Sequence, residues 1–497
     1  MIKKIPLEIK NISEKLSKAN FQAYLVGGCV RDLLLKKAPK DWDITTDAKP
    51  EEIQKIFPES VYENNFGTVA VKTDSEDPKL KIVEITTFRV EGKYTDKRHP
   101  DEIKFAKTIE EDLSRRDFTI NALAFGLSED MADKIIDPHG GQFDIKNKII
   151  KTVGDPIQRF NEDALRLIRA VRFAVQLDFS AQGGPASGWE IEEKTFKAIK
   201  EKSGLLEMIA KERISDEFKK IIMTPNAKKG IELLEEAGLL KYIIPELREG
   251  INVGQNKHHI YTVWEHNLRA LDYAAKKEYS FEIRLASLLH DVGKPKTKAG
   301  EGPNSTFYNH EVVGAKIAAR IMDRLSFSKD ISELVIHLVR YHLFYYNVGE
   351  VTESGVRRFL RRVGSEHVDD LIKIREADRI GSGVPKAIPY KLRHLLFMIE
   401  KVKHDPISPK MLKVNGSDLM EILKIKPGPK VGQILSVLLE EVIEEPNKND
   451  KKKLEIRIKE LGKLSEKELE KLSKQARDKK EEFEEGVVEE MKGKHHV

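Results

Sequence analysis

The sequence predicts an α+β protein: a small mixed-sheet head followed by an all-α neck, body and tail. Three observations carry this. Strand-like, β-branched segments fall within the first 150 residues; apolar residues at helical spacing dominate from Asp155 onward; and 497 residues are too many for a single core.

In the head, Phe21–Val26 reads as a short buried strand and Val30–Lys37 as a helix opening after Gly27-Gly28. Thr68–Lys72 and Lys81–Thr87 are further strands, and Asp137-Pro138-His139-Gly140-Gly141 is a turn cluster. Arg159–Leu177 has the spacing of one amphipathic helix. Small-residue breaks at 181–188, 249–257 and 381–385 divide the helical part. The expected organisation is therefore a head at 1–150, a helical neck at 151–250, a helical domain at 251–385, a helical body at 386–446 and a charged tail at 447–497. The tail reads as a solvated helix or a frayed terminus, because it is rich in charge and poor in aromatics.

Composition narrows the function classes. The 87 basic residues nearly balance 82 acidic ones, so an RNA partner must be met by local basic patches. The single cysteine, Cys29, excludes an intrachain disulfide and a cysteine-rich zinc site, and fits a reducing compartment. No apolar run is long enough to span a membrane and no signal-peptide pattern opens the chain, so a cytoplasmic protein is expected.

The most informative residues are Asp41 and Asp43 in Lys40-Asp41-Trp42-Asp43-Ile44. On a strand, positions i and i+2 share a face, and two carboxylates there make a hard oxygen site suited to Mg²⁺. The preceding Gly27-Gly28 turn exposes backbone N–H groups to which a phosphate can come close, and Arg31 adds a cation. Glu84 lies inside the otherwise apolar Ile82-Val83-Glu84-Ile85 and is expected to be the third acid; the plainer alternative is an edge-strand glutamate facing water. The chemistry this predicts is two-metal nucleotidyl transfer, with catalytic Asp41, Asp43 and Glu84.

Gly27-Gly28-Cys29-Val30-Arg31-Asp32, Asp41-Trp42-Asp43, Arg115-Arg116-Asp117-Phe118-Thr119-Ile120-Asn121 and Glu162-Asp163-Ala164-Leu165-Arg166 occur in that order. Together they resemble the class II tRNA nucleotidyltransferases (CCA-adding enzymes) and the closely similar poly(A) polymerases. The resemblance implies catalysis in the head, with CTP and ATP as substrates, the tRNA 3′ end as acceptor and Mg²⁺ as cofactor. It also implies that Gly28, Arg31 and Arg116 contact the nucleotide, and that Asp163, Arg166, Arg169 and Arg172 line its pocket. Phe88-Arg89-Val90-Glu91 through Tyr94, Asp96 and Arg98 resembles the loop that full CCA-adding members use to switch from C to A.

The neck motif has its own logic. On a helix Asp163 and Arg166 share a face, and Arg169 and Arg172 continue the stripe. A carboxylate accepts and a guanidinium donates, which matches the exocyclic amino group and ring nitrogen of cytosine and adenine and opposes guanine and uracil. Arg213-Ile214-Ser215-Asp216-Glu217 reads as helix support.

A second constellation, His266, His290-Asp291 and Asp378, resembles an HD phosphohydrolase domain. The resemblance implies a four-ligand site, with His310 and His342 as candidates for a second ion. Mixed imidazole and carboxylate ligands suit a divalent transition metal or Mg²⁺ without choosing between them. His337 reads instead as a hydrogen-bonded core residue. Arg357, Arg358, Arg361 and Arg362 form a basic cluster expected to anchor RNA, with a solvated helix face as the alternative. The rival functions are a poly(A) polymerase built from the same motifs and a phosphohydrolase with an inactive head. Oligomeric state is not legible.

Overall fold

The computed structural model describes residues 5–476 apart from 63–66, 93–102, 128–133, 178–187, 257–259, 345 and 350. Tyr94, Asp96 and Arg98 of the loop, residues 181–187, and tail residues 477–497 lie outside the described residues.

The head is built on a seven-stranded mixed sheet. Its strands are β1 (Ala23–Val26), β2 (Asp43–Thr46), β3 (Ser60–Tyr62), β4 (Thr68–Lys72), β5 (Ile82–Thr87), β8 (Ala124–Gly126) and β9 (Ile135–Ile136), in the order β3-β4-β5-β2-β1-β8-β9. β6 (Arg89–Glu91) and β7 (Ile103–Phe105) form a separate antiparallel ribbon. β1 is buried along its whole length, as its Ala-Tyr-Leu-Val sequence requires of a central strand. β5 alternates, with Val83, Ile85 and Thr87 buried and Ile82 and Glu84 exposed. Helices Leu7–Lys18 and Pro50–Ile56 pack on this sheet. A buried cluster of Tyr24, Val26, Phe88, Ile109, Leu113, Ala122, Ala124 and Val153 fastens helix Ile109–Ser114 to β1 and β8. Thr108 caps that helix by accepting from Glu111 N, a bond of a kind that contributes about 1 kcal/mol.

The stretch expected as one helix is two. Helix Pro156–Glu162, capped by Asp155 with Pro156 in its first turn, stops at Asp163, which is extended at φ −133°. A second helix runs Leu165–Gln176. The break has a local cause, since the Asp163 carboxylate accepts the Leu165 backbone N–H at 3.0 Å.

The chain divides into two compact units. One comprises residues 1–249 with 275–284 and 320–332, and the other 250–274, 285–319 and 333–497. The second unit is helical throughout its described residues, apart from an isolated bridge between Ala299 and Thr306. Its C-terminal part departs from expectation. Helix Lys451–Gly462 is docked, not solvated: Leu454, Ile458 and Leu461, with Leu469 beyond, are buried against Ile434, Leu438, Val442 and Ile443. Three apolar residues at i, i+4 and i+7 suffice to hold a helix whose other faces are charged. No helix among the described residues is long and apolar enough to cross a membrane.

Candidate active site and metal centre

In the head, β2 and β5 run parallel, with Asp43 directly opposite Glu84. The two side chains therefore leave the sheet on the same face. Asp41 lies just before β2, not within it, and is exposed. Burial raises the Asp43 carboxyl above the usual carboxylate range; Arg116 opposes the shift and Asp41 adds to it. Glu84 is exposed, so the desolvation argument for it fails, yet it sits on an interior strand between β4 and β2, not at an edge. An all-oxygen donor set with one half-buried, like-charged neighbour fits a hard divalent cation, whose charge would offset both the burial and the repulsion. The three acids are not gathered as closely as the histidine clusters described below.

Gly27 precedes helix Gly28–Leu34 at φ +73°, a conformation that favours glycine, and a Cβ there would lie 2.8 Å from Arg116 Nη1. The diglycine turn is thus also what lets Arg116 approach. Arg31 is buried, donating from Nη1 to Asn121 Oδ1 at 2.6 Å and from Nε to Asp32 Oδ1 at 3.0 Å. Arg116 donates to Asp112, whose carboxyl is held below its usual range by Arg115 and Arg116 against the cost of burial. Burial pushes the Cys29 thiol up to about 12, with Asp43 adding to it, so this cysteine is inert.

The neck residues are brought together, but with other partners than expected. Asp163 pairs with Arg213 at 3.2 Å, and Arg166 with Glu162 at 2.8 Å. Arg169 donates twice to Asp117, from Nε at 2.9 Å and Nη2 at 2.5 Å, and Arg172 donates to buried Glu217 at 3.0 Å. Arg31, Arg169 and Arg172 all face the Phe173 ring, at 5.3, 5.3 and 4.3 Å from its centroid. Burial among these cations lowers Arg172 to about 10. Asp117 is buried, which would raise its carboxyl, but Arg169 and Asn121 hold it far below the ordinary range. Asp117, Asn121, Glu217 and Arg213 were given no individual role in the sequence reading. The available signal was the acid that follows two arginines in Arg115-Arg116-Asp117.

Among its described residues the second unit holds two ligand groups. His266, His290 and Asp378 offer atoms all within 4.8 Å of one another, and so do Asp291, His310 and His342. Asp291 stands between them: Oδ2 is 3.1 Å from His266 Nε2 and 3.4 Å from His290 Nε2, while Oδ1 is 3.3 Å from His310 Nε2 and 3.7 Å from His342 Nε2. The Nδ1 atoms of His290, His310 and His342 each lie 2.8 Å from a backbone carbonyl, of Ser287, Phe307 and Val339 respectively. Donation from Nδ1–H leaves each Nε2 lone pair directed at the centre, the tautomer a metal ligand needs. The donor set therefore fits one or two divalent ions. Without an ion, burial opposes charge on His290 but Asp291 and Asp378 lift it to about 10, while burial takes His342 down to about 3. Lys294, also unassigned from sequence, is buried with Nζ 2.6 Å from Asp291 Oδ2. His337 is hydrogen-bonded as expected, with Nε2 2.7 Å from Val363 O, but it is only partly buried and not a core residue.

The arginine cluster on helix Glu353–Val363 is largely occupied. Arg357 is buried and donates to Asp405 at 2.7 Å and to Ile443 O at 2.7 Å. Arg358 bonds Glu440 and Glu444, and Arg361 reaches Glu440 at 3.4 Å. Arg362 lies over the Tyr341 ring at 6.0 Å. These contacts tie the helix to Pro429–Glu444, which sequence spacing could not disclose. Neither the solvated face nor a free RNA anchor describes Arg357 and Arg358.

A mixed sheet presenting in-register acids beside a diglycine turn, joined to arginine-lined helices, defines a nucleotidyltransferase. Residues 23–151 match the family model of the poly A polymerase head domain, 188–251 that of the probable RNA and SrmB- binding site of polymerase A, and 263–381 the HD domain. The chain is 34% identical over 460 residues to the CCA-adding enzyme of Lactococcus lactis subsp. cremoris (strain MG1363), covering 90% of this chain and 96% of that one. It is 34% identical over 444 residues to the CCA-adding enzyme of Geobacillus sp. (strain WCH70), covering 89% and 94%. Its fold is similar to that of the Bacillus stearothermophilus CCA-adding enzyme in complex with CTP, with a TM-score of 0.65 at 27% identity over 91% of this chain and 96% of that one. The Thermotoga maritima CCA-adding enzyme complexed with tRNA shares the fold at 20% identity, with a TM-score of 0.56 over 93% and 97%. The chain belongs to the class II CCA-adding enzyme and poly(A) polymerase family with an HD domain.

Proposed function

We propose that this chain adds CMP and AMP from CTP and ATP to the 3′ end of tRNA without a nucleic acid template. The observation that carries the reading is the register of Asp43 with Glu84 beside the diglycine turn and Arg116, in a chain matched nearly end to end by CCA-adding enzymes. Asp41 and Asp43 would hold Mg²⁺, which when bound activates the attacking 3′-hydroxyl and stabilises the leaving pyrophosphate. Gly28 and Arg31 bind the triphosphate, and Arg116, aligned by Asp112, contacts sugar and phosphate. Asp163 accepts from the exocyclic amino group of C or A, and Arg166 donates to the ring nitrogen beside it. Arg213 fixes the carboxylate for that task, Asp117 orients Arg169, and Glu217 orients Arg172.

The two ligand groups around Asp291 support a second activity, hydrolysis of phosphate esters at the HD centre. The ligands named above would hold a divalent metal that activates water when bound. The family also contains poly(A) polymerases, built from the same motifs.

A tRNA transcript lacking its 3′ terminus, given Mg²⁺ and labelled CTP and ATP, tests the main reading. Addition of C, C and A that needs both nucleotides is expected, with Asp43→Asn at least about a thousandfold slower. A long ladder from ATP alone overturns CCA addition in favour of poly(A) synthesis. Undiminished turnover in Asp43→Asn removes the site assignment.

A further inference from the structure

Within the second unit, a cavity of about 590 Å³ opens between helices Val368–Gly381 and Tyr390–Val402. Its walls carry three cations, Arg375, Arg379 and Lys391, and three rings, Phe344, Tyr346 and Tyr390. The volume suits a ligand of nucleotide size. The Arg379 Nε donates to the Lys386 carbonyl and Lys391 Nζ to the Asn347 side-chain amide, both neutral acceptors, while the Asp378 carboxylate acts on Arg379 without a hydrogen bond to it. Arg375 lies over the Phe344 ring and donates to Asp378 Oδ2 at 2.7 Å. The cavity wall is thus one side chain away from the ligand group His266, His290 and Asp378.

From Tyr390 in the cavity wall the same helix continues outward as an aromatic stripe. Tyr390, His394 and Phe397 are spaced i, i+4 and i+7, with successive ring centroids 6.1 Å apart. Tyr390 and Phe397 are 62% and 63% exposed, unusual for residues of this size. Tyr346 hydroxyl hydrogen-bonds His394, tying stripe to cavity. Exposed rings in line, with cations beside them, are what an unpaired nucleic acid strand requires: bases stack on the rings and phosphates meet the cations. An acidic peptide would use the cations and leave the rings unexplained, and an apolar partner the reverse.

We infer that this stripe and cavity form a binding surface for single-stranded RNA, with one nucleotide seated in the cavity and its neighbours stacked along Tyr390 and Phe397. The surface lies apart from the head site in sequence and chemistry. The inference rests on the HD reading for what becomes of the strand, not for its binding.

The test uses the full chain in EDTA and a fluorescein-labelled single-stranded RNA of about eight nucleotides carrying a 3′-phosphate. Binding is read by fluorescence anisotropy, and a 4-thiouridine version is crosslinked and mapped. Tyr390→Ala with Phe397→Ala, and separately Arg379→Gln, are each expected to weaken binding about tenfold or more, with unchanged thermal midpoints. The crosslink is expected within 390–397. Affinities within about twofold of the parent in both variants overturn the surface, as does a crosslink confined to residues 1–249. Self-association abolished by the double variant, with RNA binding unaltered, also overturns it and makes the face a contact between copies. Variant-sensitive binding with no hydrolysis on adding metal supports the surface and sinks the HD reading instead.

Discussion

Asp117→Asn isolates the electrostatic support beneath the proposed nucleotide pocket. The substitution keeps the shape of the side chain and an acceptor oxygen for Phe118 N at 2.8 Å, but removes the charge that faces Arg169. Breaking a fully buried ion pair costs about 3–5 kcal/mol. The Arg169 side chain is 31% exposed, so water recovers part of that, whereas two charge-assisted hydrogen bonds are lost outright. A destabilisation of about 2–3 kcal/mol follows. The pH dependence has a definite sign. Arg169 and Asn121 hold the folded-state pKa of Asp117 below its unfolded value, so its contribution is fully present above about pH 4 and fades only as pH falls through the folded value. Urea unfolding should therefore show a constant deficit for the variant from about pH 5 to 8, and convergence with the parent in stronger acid. The KM for CTP should rise together with the loss, because Arg169 is no longer aligned. A deficit below about 0.5 kcal/mol at neutral pH, or one that grows on acidification, would refute the argument.

Three other substitutions probe separate parts. Gly27→Ala should cost about 1–2 kcal/mol for its positive φ and lower kcat/KM for CTP about tenfold by displacing Arg116, read by steady-state kinetics. Arg357→Ala should remove about 3 kcal/mol in thermal unfolding, yet leave the salt dependence of tRNA binding unaltered; a slope reduced by about one unit would restore the phosphate-contact reading. His290→Ala should lose bound divalent metal, measured by mass spectrometry after dialysis, while CMP incorporation persists.

The sequence carried the chemistry better than the partnerships. Asp41, Asp43 and the glycine turn were legible because their spacing is local, and His290-Asp291 because two ligands sit side by side on one turn. What escaped depends on residues far apart in the chain. Asp163 was assigned to a helix face, but its carboxylate caps Leu165 and ends the preceding helix, which frees it for Arg213, 50 residues on. Arg357 and Arg358 read as an exposed basic run because their carboxylates, Asp405, Glu440 and Glu444, lie 48 to 86 residues later. Helix Lys451–Gly462 was hidden by its charge; three apolar positions were enough to seat it. Glu84 was expected to be a buried carboxylate among apolar neighbours, but strand alternation turns it outward while Val83 and Ile85 turn in.

The parallel alignment that sets Asp43 across from Glu84 couples the packing of the head to the placement of its paired acids. A slip of a single residue between these two strands would send the carboxylates to opposite sides of the sheet and turn either Ile44 or Ile85 out of the core. A misaligned head would thus lose core packing together with the proposed metal-binding pair. Changes in the length of the connection from Asp47 to Lys81 are tolerable only insofar as they leave that alignment intact.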